Sequence, residues 1–114
     1  MAYAIDQKTG ELTKLNGFSS EGASPCHLSV DPSGKMLYVS NYQGGNLAAY
    51  KINGDGSISP SSAFIQHSGQ GAHPQRQNAP HMHSMIPSLD GKFVYASDLG
   101  IDKIMIYEVN ASTG

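Results

Sequence analysis

The stretch Ala79-Pro80-His81-Met82-His83-Ser84-Met85-Ile86-Pro87-Ser88-Leu89-Asp90-Gly91-Lys92-Phe93-Val94-Tyr95-Ala96-Ser97-Asp98-Leu99-Gly100 holds two histidines, a tight turn and an apolar run. A weaker copy runs from Ser24 to Tyr42. Gly34-Lys35-Met36-Leu37-Tyr38-Val39-Ser40-Asn41 matches Gly91-Lys92-Phe93-Val94-Tyr95-Ala96-Ser97-Asp98 at a shift of 57. The same shift carries Leu47–Asn53 onto Ile104–Asn110. Upstream of the turn, taking Leu89 as one extra residue puts His27 on His83 at a shift of 56. A third, partial copy opens the chain, where Ala2–Ile5 resembles Ala49–Ile52 and Thr9–Leu12 resembles Asp55–Ile58.

Each copy reads as short strands between turns. One strand is expected at His27–Val30, before the turn Asp31-Pro32-Ser33-Gly34, where Pro fixes φ and Gly accepts a positive φ. Lys35–Ser40 is a nearly continuous apolar run, suited to a strand covered on both faces. Asn46–Ile52 gives a third strand, the turn Asn53–Gly56 follows, and Ser62–Gln66 gives a fourth, weak one. Gly, Pro or Asn interrupts every candidate helix. Four short antiparallel strands per repeat make a propeller blade, and the period of about 45 to 57 residues fits blades with an insertion. The expected fold class is therefore all-β, part of a β-propeller of about two blades, cut mid-blade at both ends. Residues 1–23 are expected to end one blade, 24–66 to form one, 67–80 to be an inserted loop, and 81–114 to form most of a further blade. A closed ring needs at least about four blades, so the chain is expected to be a fragment of a larger whole.

Composition narrows the function classes. The 114 residues carry a net charge of -2 with no run of Lys or Arg, so neither nucleic acid nor an anionic membrane is an expected partner. No apolar run is long enough to span a bilayer as a helix, and Met1–Asp6 lacks the pattern of a signal peptide. The single cysteine, Cys26, has no internal partner, which suits a reducing compartment. A soluble cytoplasmic protein is the expectation, with self-association through exposed blade edges.

Several motifs point to one family. Ser24–Gly34, Asn41-Tyr42-Gln43-Gly44-Gly45-Asn46, Gln75-Arg76-Gln77, Pro80-His81-Met82-His83-Ser84 and Ser97–Lys103 together resemble the lactonase-type seven-bladed propellers. That family includes the propeller form of 6-phosphogluconolactonase and the fungal carboxymuconate lactonizing enzyme. The resemblance covers essentially the whole chain, and Gln75–Lys103 is its most specific part. It implies a fragment of a sugar-lactone hydrolase acting on 6-phosphogluconolactone or another anionic lactone, with no cofactor and no metal. It also matches the family's site histidine to His83. The family's Arg and Glu partners would fall beyond Gly114, so the chain is expected to hold part of a site. Two other readings stay open: a non-catalytic scaffold or binding fragment, and the reverse chemistry, cyclisation of a muconate to its lactone.

The candidate catalytic residues are His83 and His81. Two apart on a strand, they would share one face. An imidazole ordinarily titrates near neutrality and can serve as general base for water attacking a lactone carbonyl. The plainer alternative is a pair of histidines bonding loop backbone. They could also supply two ligands of a metal site, with His67 and His73 nearby, but no second His-x-His and no suitably spaced carboxylate joins them. The candidate substrate-binding residues are Arg76, whose guanidinium suits a phosphate or carboxylate, and His27, from its repeat position. Arg76 could equally be a solvated loop residue. Asp98 and Asp102, like Asn41 and Asn46, are expected to hold loops through backbone N–H groups. Cys26 is expected to be a buried, inert thiol. Tyr38, Tyr50, Tyr95 and Tyr107 are expected to pack between blades.

Overall fold

A computed structural model describes residues 1–110 and 112–114. Among the described residues nine strands make three antiparallel sheets in which sequence neighbours pair: β1 (Ala2–Ile5) with β2 (Leu12–Asn16); β3 (Pro25–Val30), β4 (Met36–Asn41), β5 (Asn46–Ile52) and β6 (Ile58–Gln66); and β7 (Met82–Pro87), β8 (Phe93–Asp98) and β9 (Lys103–Glu108). One 3-10 turn, Leu99–Ile101, joins β8 to β9. The fourth strand is longer than the sequence suggested, because Ser59–Ser62 continue the alternation that Ile58 begins and the ladder bends at irregular pairings near Tyr50 instead of ending.

The middle sheet explains its own composition. β4 and β5 are covered on both faces, so they read as unbroken apolar runs. On one face Met36, Tyr38, Leu47 and Ala49 meet Met82, Met85, Val94 and Ala96 of the third sheet. On the other face Val39, Ala48 and Tyr50 form a second cluster with Leu37, and the Tyr50 hydroxyl donates to the Ser19 carbonyl at 2.7 Å. The third sheet is buried on one face only. Val94 and Ala96 are inside, while Phe93, Tyr95, Ile104 and Ile106 face outward. Of the four repeat tyrosines, Tyr38 and Tyr50 are buried and Tyr107 is half-buried, but Tyr95 is 40% exposed, because it points to the uncovered face.

The strand registers correct the repeat alignment. β3 pairs with β4 through Pro25↔Asn41 and then His27↔Ser40, so Cys26 is the extra residue of a bulge. β7 pairs with β8 through Met82↔Asp98 and then Ser84↔Ser97, which makes His83 the extra residue. The shift is therefore 57 throughout: His83 corresponds to Cys26, and His27 corresponds to Ser84. Leu89 is not an insertion. Both turns close over the same span, Gly34 N–H donating to Asp31 and Gly91 N–H to Ser88, each at 2.9 Å. Within them Asp and Ser have changed places. Ser33 Oγ donates to Asp31 at 2.5 Å, and Ser88 Oγ donates to Asp90 at 2.6 Å. That exchange disguised two turns of equal length. The same registers place His81 before β7, so the two histidines do not share a strand face.

Candidate functional site

The site is built at one end of the second and third sheets, where the bend after β4, the loop 67–81, the start of β7 and the 3-10 turn converge. Asp98 ties these together. Its Oδ1 accepts from the backbone N–H of Gly100 at 2.9 Å and of His81 at 2.7 Å, while its Oδ2 meets His67 Nδ1 at 2.6 Å. The backbone then closes on itself, with Leu99 N–H donating to the His81 carbonyl at 3.0 Å. Gly100 is required here by space: a Cβ would run into the Ala79 carbonyl and the His81 nitrogen.

The loop is tied down by Gln77, which is buried. Its Nε2 donates to the Leu99 carbonyl at 2.8 Å and to Asp102, and its Oε1 accepts from His73 N–H at 2.8 Å. Asp102 takes a left-handed conformation at φ 54°, as its repeat counterpart Gly45 does at 60°. Both aspartates therefore hold loops, Asp98 by backbone N–H groups and Asp102 through the Gln77 amide. In the middle sheet Asn41 Nδ2 donates to the Ser20 carbonyl and to Asn46, both at 2.7 Å.

Tyr42 connects the two candidate histidines. Its ring stacks on His81 at 4.7 Å and 13°, and His83 stands edge-on to it at 6.1 Å and 83°. His81 Nδ1 donates to the Tyr42 carbonyl at 3.2 Å, so its ring is engaged with the backbone of the neighbouring sheet. His83, the bulge residue, is exposed and free to face solvent. Beside it opens a cleft of about 750 Å³ lined by Tyr42, Arg76, His83 and Lys103, with Asp98 and Asp102 at its base.

Of the residues singled out in the sequence, His83 and Arg76 share this cleft, and His81 supports its edge through Tyr42. His27 lies elsewhere, half-buried where β3 packs against β7, with its Nδ1 accepting from Met85 N–H at 3.4 Å. Cys26 is exposed instead of buried, because the bulge turns it outward. Its thiol donates to the Met82 and His83 carbonyls at 3.4 Å, and partial desolvation pushes its pKa up, away from the reactive thiolate. Among the described residues no three His, Cys, Asp or Glu side chains converge as a metal site would need. Among the described residues no helix is long and apolar enough to cross a membrane.

Lys103, Gln77 and His67 were not picked out as site residues from sequence. Lys103 stands where the middle sheet has Asn46, at the shift of 57 that the sequence already shows on this side of the turn. Gln77 and His67 lie in a loop without a repeat pattern, and their roles depend on what they meet in space.

The family model described as lactonase, seven-bladed beta-propeller, matches residues 1–114. A 6-phosphogluconolactonase of Bacillus subtilis is 39% identical over 108 residues, which is 95% of this chain and 31% of that protein. A Bacteroides fragilis crystal structure superposes with a TM-score of 0.87 at 37% identity, over 95% of this chain and 30% of that one. The Pseudomonas aeruginosa periplasmic gluconolactonase gives a TM-score of 0.84 at 31% identity, over 93% of this chain and 30% of that one. The chain thus spans less than a third of the length of these relatives, and its two-, four- and three-stranded sheets are part of a propeller. With the whole of its length matched, the chain belongs to the lactonase family of seven-bladed β-propellers.

Proposed function

We propose that this chain forms one wall of a sugar-lactone hydrolase site, with 6-phosphogluconolactone as the first-choice substrate and a place in the pentose phosphate pathway. One observation carries the reading: His83 shares a cleft with Arg76 and Lys103, and neither cation is paired with a carboxylate among the described residues. The carboxylates at the base of that cleft are already engaged by hydrogen bonds, Asp98 with His67, His81 and Gly100, and Asp102 with Gln77. Two free cations beside an imidazole suit an anionic substrate with a hydrolysable acyl centre. His83 takes a proton from water as the water oxygen bonds to the lactone carbonyl carbon. The ring C–O bond then breaks and the proton passes to the leaving alkoxide, giving the open hydroxy acid. Arg76 and Lys103 hold the phosphate. His81 holds Tyr42 against His83.

The same reading assigns 24–66 to one blade, 67–80 to an inserted loop and 81–114 to most of the next. The unpaired thiol of Cys26 supports a reducing, cytoplasmic setting.

Titration with 6-phosphogluconate, followed by NMR, tests the site. Shifts are expected at the His83 ring and the Arg76 guanidinium, with affinity about tenfold weaker in Arg76→Ala or Lys103→Ala, the loss of one charge-assisted contact. No shift in the cleft, or equal affinity in both variants, would overturn the assignment. Sedimentation of the same sample tests self-association. The outward face of the third sheet exposes Phe93, Tyr95, Ile104 and Ile106, and such a patch recruits partners. Species heavier than the 12.1 kDa monomer are expected, and Ile104→Lys with Ile106→Lys should restore the monomer. A parent chain that stays monomeric at high concentration would count against it.

A further inference from the structure

Beneath the cleft runs a continuous chain of hydrogen bonds. Tyr107 Oη lies 2.7 Å from His67 Nε2, His67 Nδ1 lies 2.6 Å from Asp98 Oδ2, and Asp98 Oδ1 accepts from His81 and Gly100. His67 and Asp98 are buried, with 7% and 2% of their surface exposed. One assignment of protons satisfies every group: the phenol donates to Nε2, Nδ1–H donates to the carboxylate, and the carboxylate accepts two backbone N–H groups. Burial and the negative charge of Asp98 hold the Tyr107 phenol above its ordinary pKa, which keeps it a donor.

The middle sheet shows what fastening a loop requires by itself. There Asn41 and Tyr50, the repeat counterparts of Asp98 and Tyr107, donate separately to the Ser20 and Ser19 carbonyls at 2.7 Å. Two neutral bonds to backbone suffice. In the third sheet a carboxylate replaces the amide, and one imidazole replaces both carbonyls. The change occurs at the sheet that carries His83, and it links Tyr107 through one imidazole to the carboxylate that accepts the His81 N–H, beside the separate fastening of the loop by Gln77.

We infer that His67 is the positioning residue of the cleft, linking Tyr107 on β9 to Asp98 and so fixing His81, its stacked partner Tyr42 and the 3-10 turn around His83. The consequence for ligand binding rests on the function proposed above; the structural link does not. A positioning residue of this kind governs a local set of groups, whereas a packing residue supports the sheets evenly.

The test compares the parent with His67→Ala and Tyr107→Phe by amide hydrogen exchange, imidazole nitrogen NMR and 6-phosphogluconate titration. In the parent the His67 ring should carry its proton on Nδ1, with a slowly exchanging resonance far downfield. In both variants the His81 and Gly100 amides should exchange about tenfold faster or more, because the Asp98 carboxylate that accepts from them is no longer held through the buried chain from Tyr107, and the His83 ring resonance should move. Tyr38 and Ala49 amides in the middle sheet should keep their protection. Equal exchange at His81 and Gly100 in parent and variants would overturn the inference, as would a uniform loss of protection across all three sheets. If His67→Ala does not fold, Tyr107→Phe decides, since it removes only the terminal donor. If the parent fails to bind 6-phosphogluconate, the proposed function fails, and the exchange rates still decide the role of His67.

Discussion

Gly100→Ala is expected to lower the stability of the chain by about 3 kcal/mol and to release the loop 67–81 from the 3-10 turn. The reason is where the added methyl would go. Its nearest neighbours are the Ala79 carbonyl oxygen and the His81 nitrogen, both backbone atoms that cannot rotate aside as a side-chain tip can. His81 N–H is also the group bonded to Asp98, and the His81 carbonyl accepts from Leu99. Moving the Ala79–His81 segment away from Gly100 therefore costs at least two hydrogen bonds besides the contact itself. Gly54 is the matched control: nothing lies within 4 Å of a Cβ there, so Gly54→Ala should be close to neutral. Urea unfolding of the three proteins measures the difference. A Gly100→Ala midpoint equal to that of Gly54→Ala would show that the loop yields without cost and does not fix the cleft.

How much of this was legible in the sequence depended on whether the signal was periodic. The strands β4, β5, β8 and β9 were readable because each repeats an apolar pattern at one fixed shift, and because Gly34 and Gly91 mark turns where φ is positive, at 72° and 69°. The bulges were not readable. Each lies at the same place in its repeat and leaves no compositional trace; what misplaced the counterpart of His83, from Cys26 to His27, was the exchange of Asp and Ser in the turns 31–34 and 88–91, which made Leu89 look like an extra residue. That error is the source of the expectation that His27 faces the site, when it lies between β3 and β7. His83 and Arg76, which share the cleft, were singled out from sequence because their neighbours match a family motif. His67 was noticed only as a potential metal ligand, since its two partners lie 31 and 40 residues further on. For Lys103 the match to Asn46 follows from the shift of 57, but that it lines a cleft with Arg76 and His83 emerges only from the structure.

Met85→Ala should cost about 3 kcal/mol, within the usual range for truncating a buried methionine, and should loosen the third sheet from the second. Met85 is 2% exposed and belongs to the cluster that joins the two sheets. It is also bonded across the seam through its backbone: its N–H donates to His27 at 3.4 Å and its carbonyl accepts from Ser29 Oγ at 2.7 Å. Truncation leaves these bonds in place but removes the side chain that fills the space between Tyr38, Leu47 and Val94. The surrounding atoms are strand residues fixed by their ladders, so they cannot collapse far into the gap, and most of the cavity cost remains. Ile86→Ala, one residue on and half exposed at 49%, should cost much less and reports on strand propensity alone. The seam matters for the cleft because Tyr42 comes from the second sheet and His83 from the third. Weakening it should therefore broaden the His83 ring resonance in Met85→Ala even under conditions where the protein stays folded. A sharp, unmoved resonance alongside a large drop in the urea midpoint would mean that the Tyr42–His81 stack holds the cleft together without help from the core beneath it.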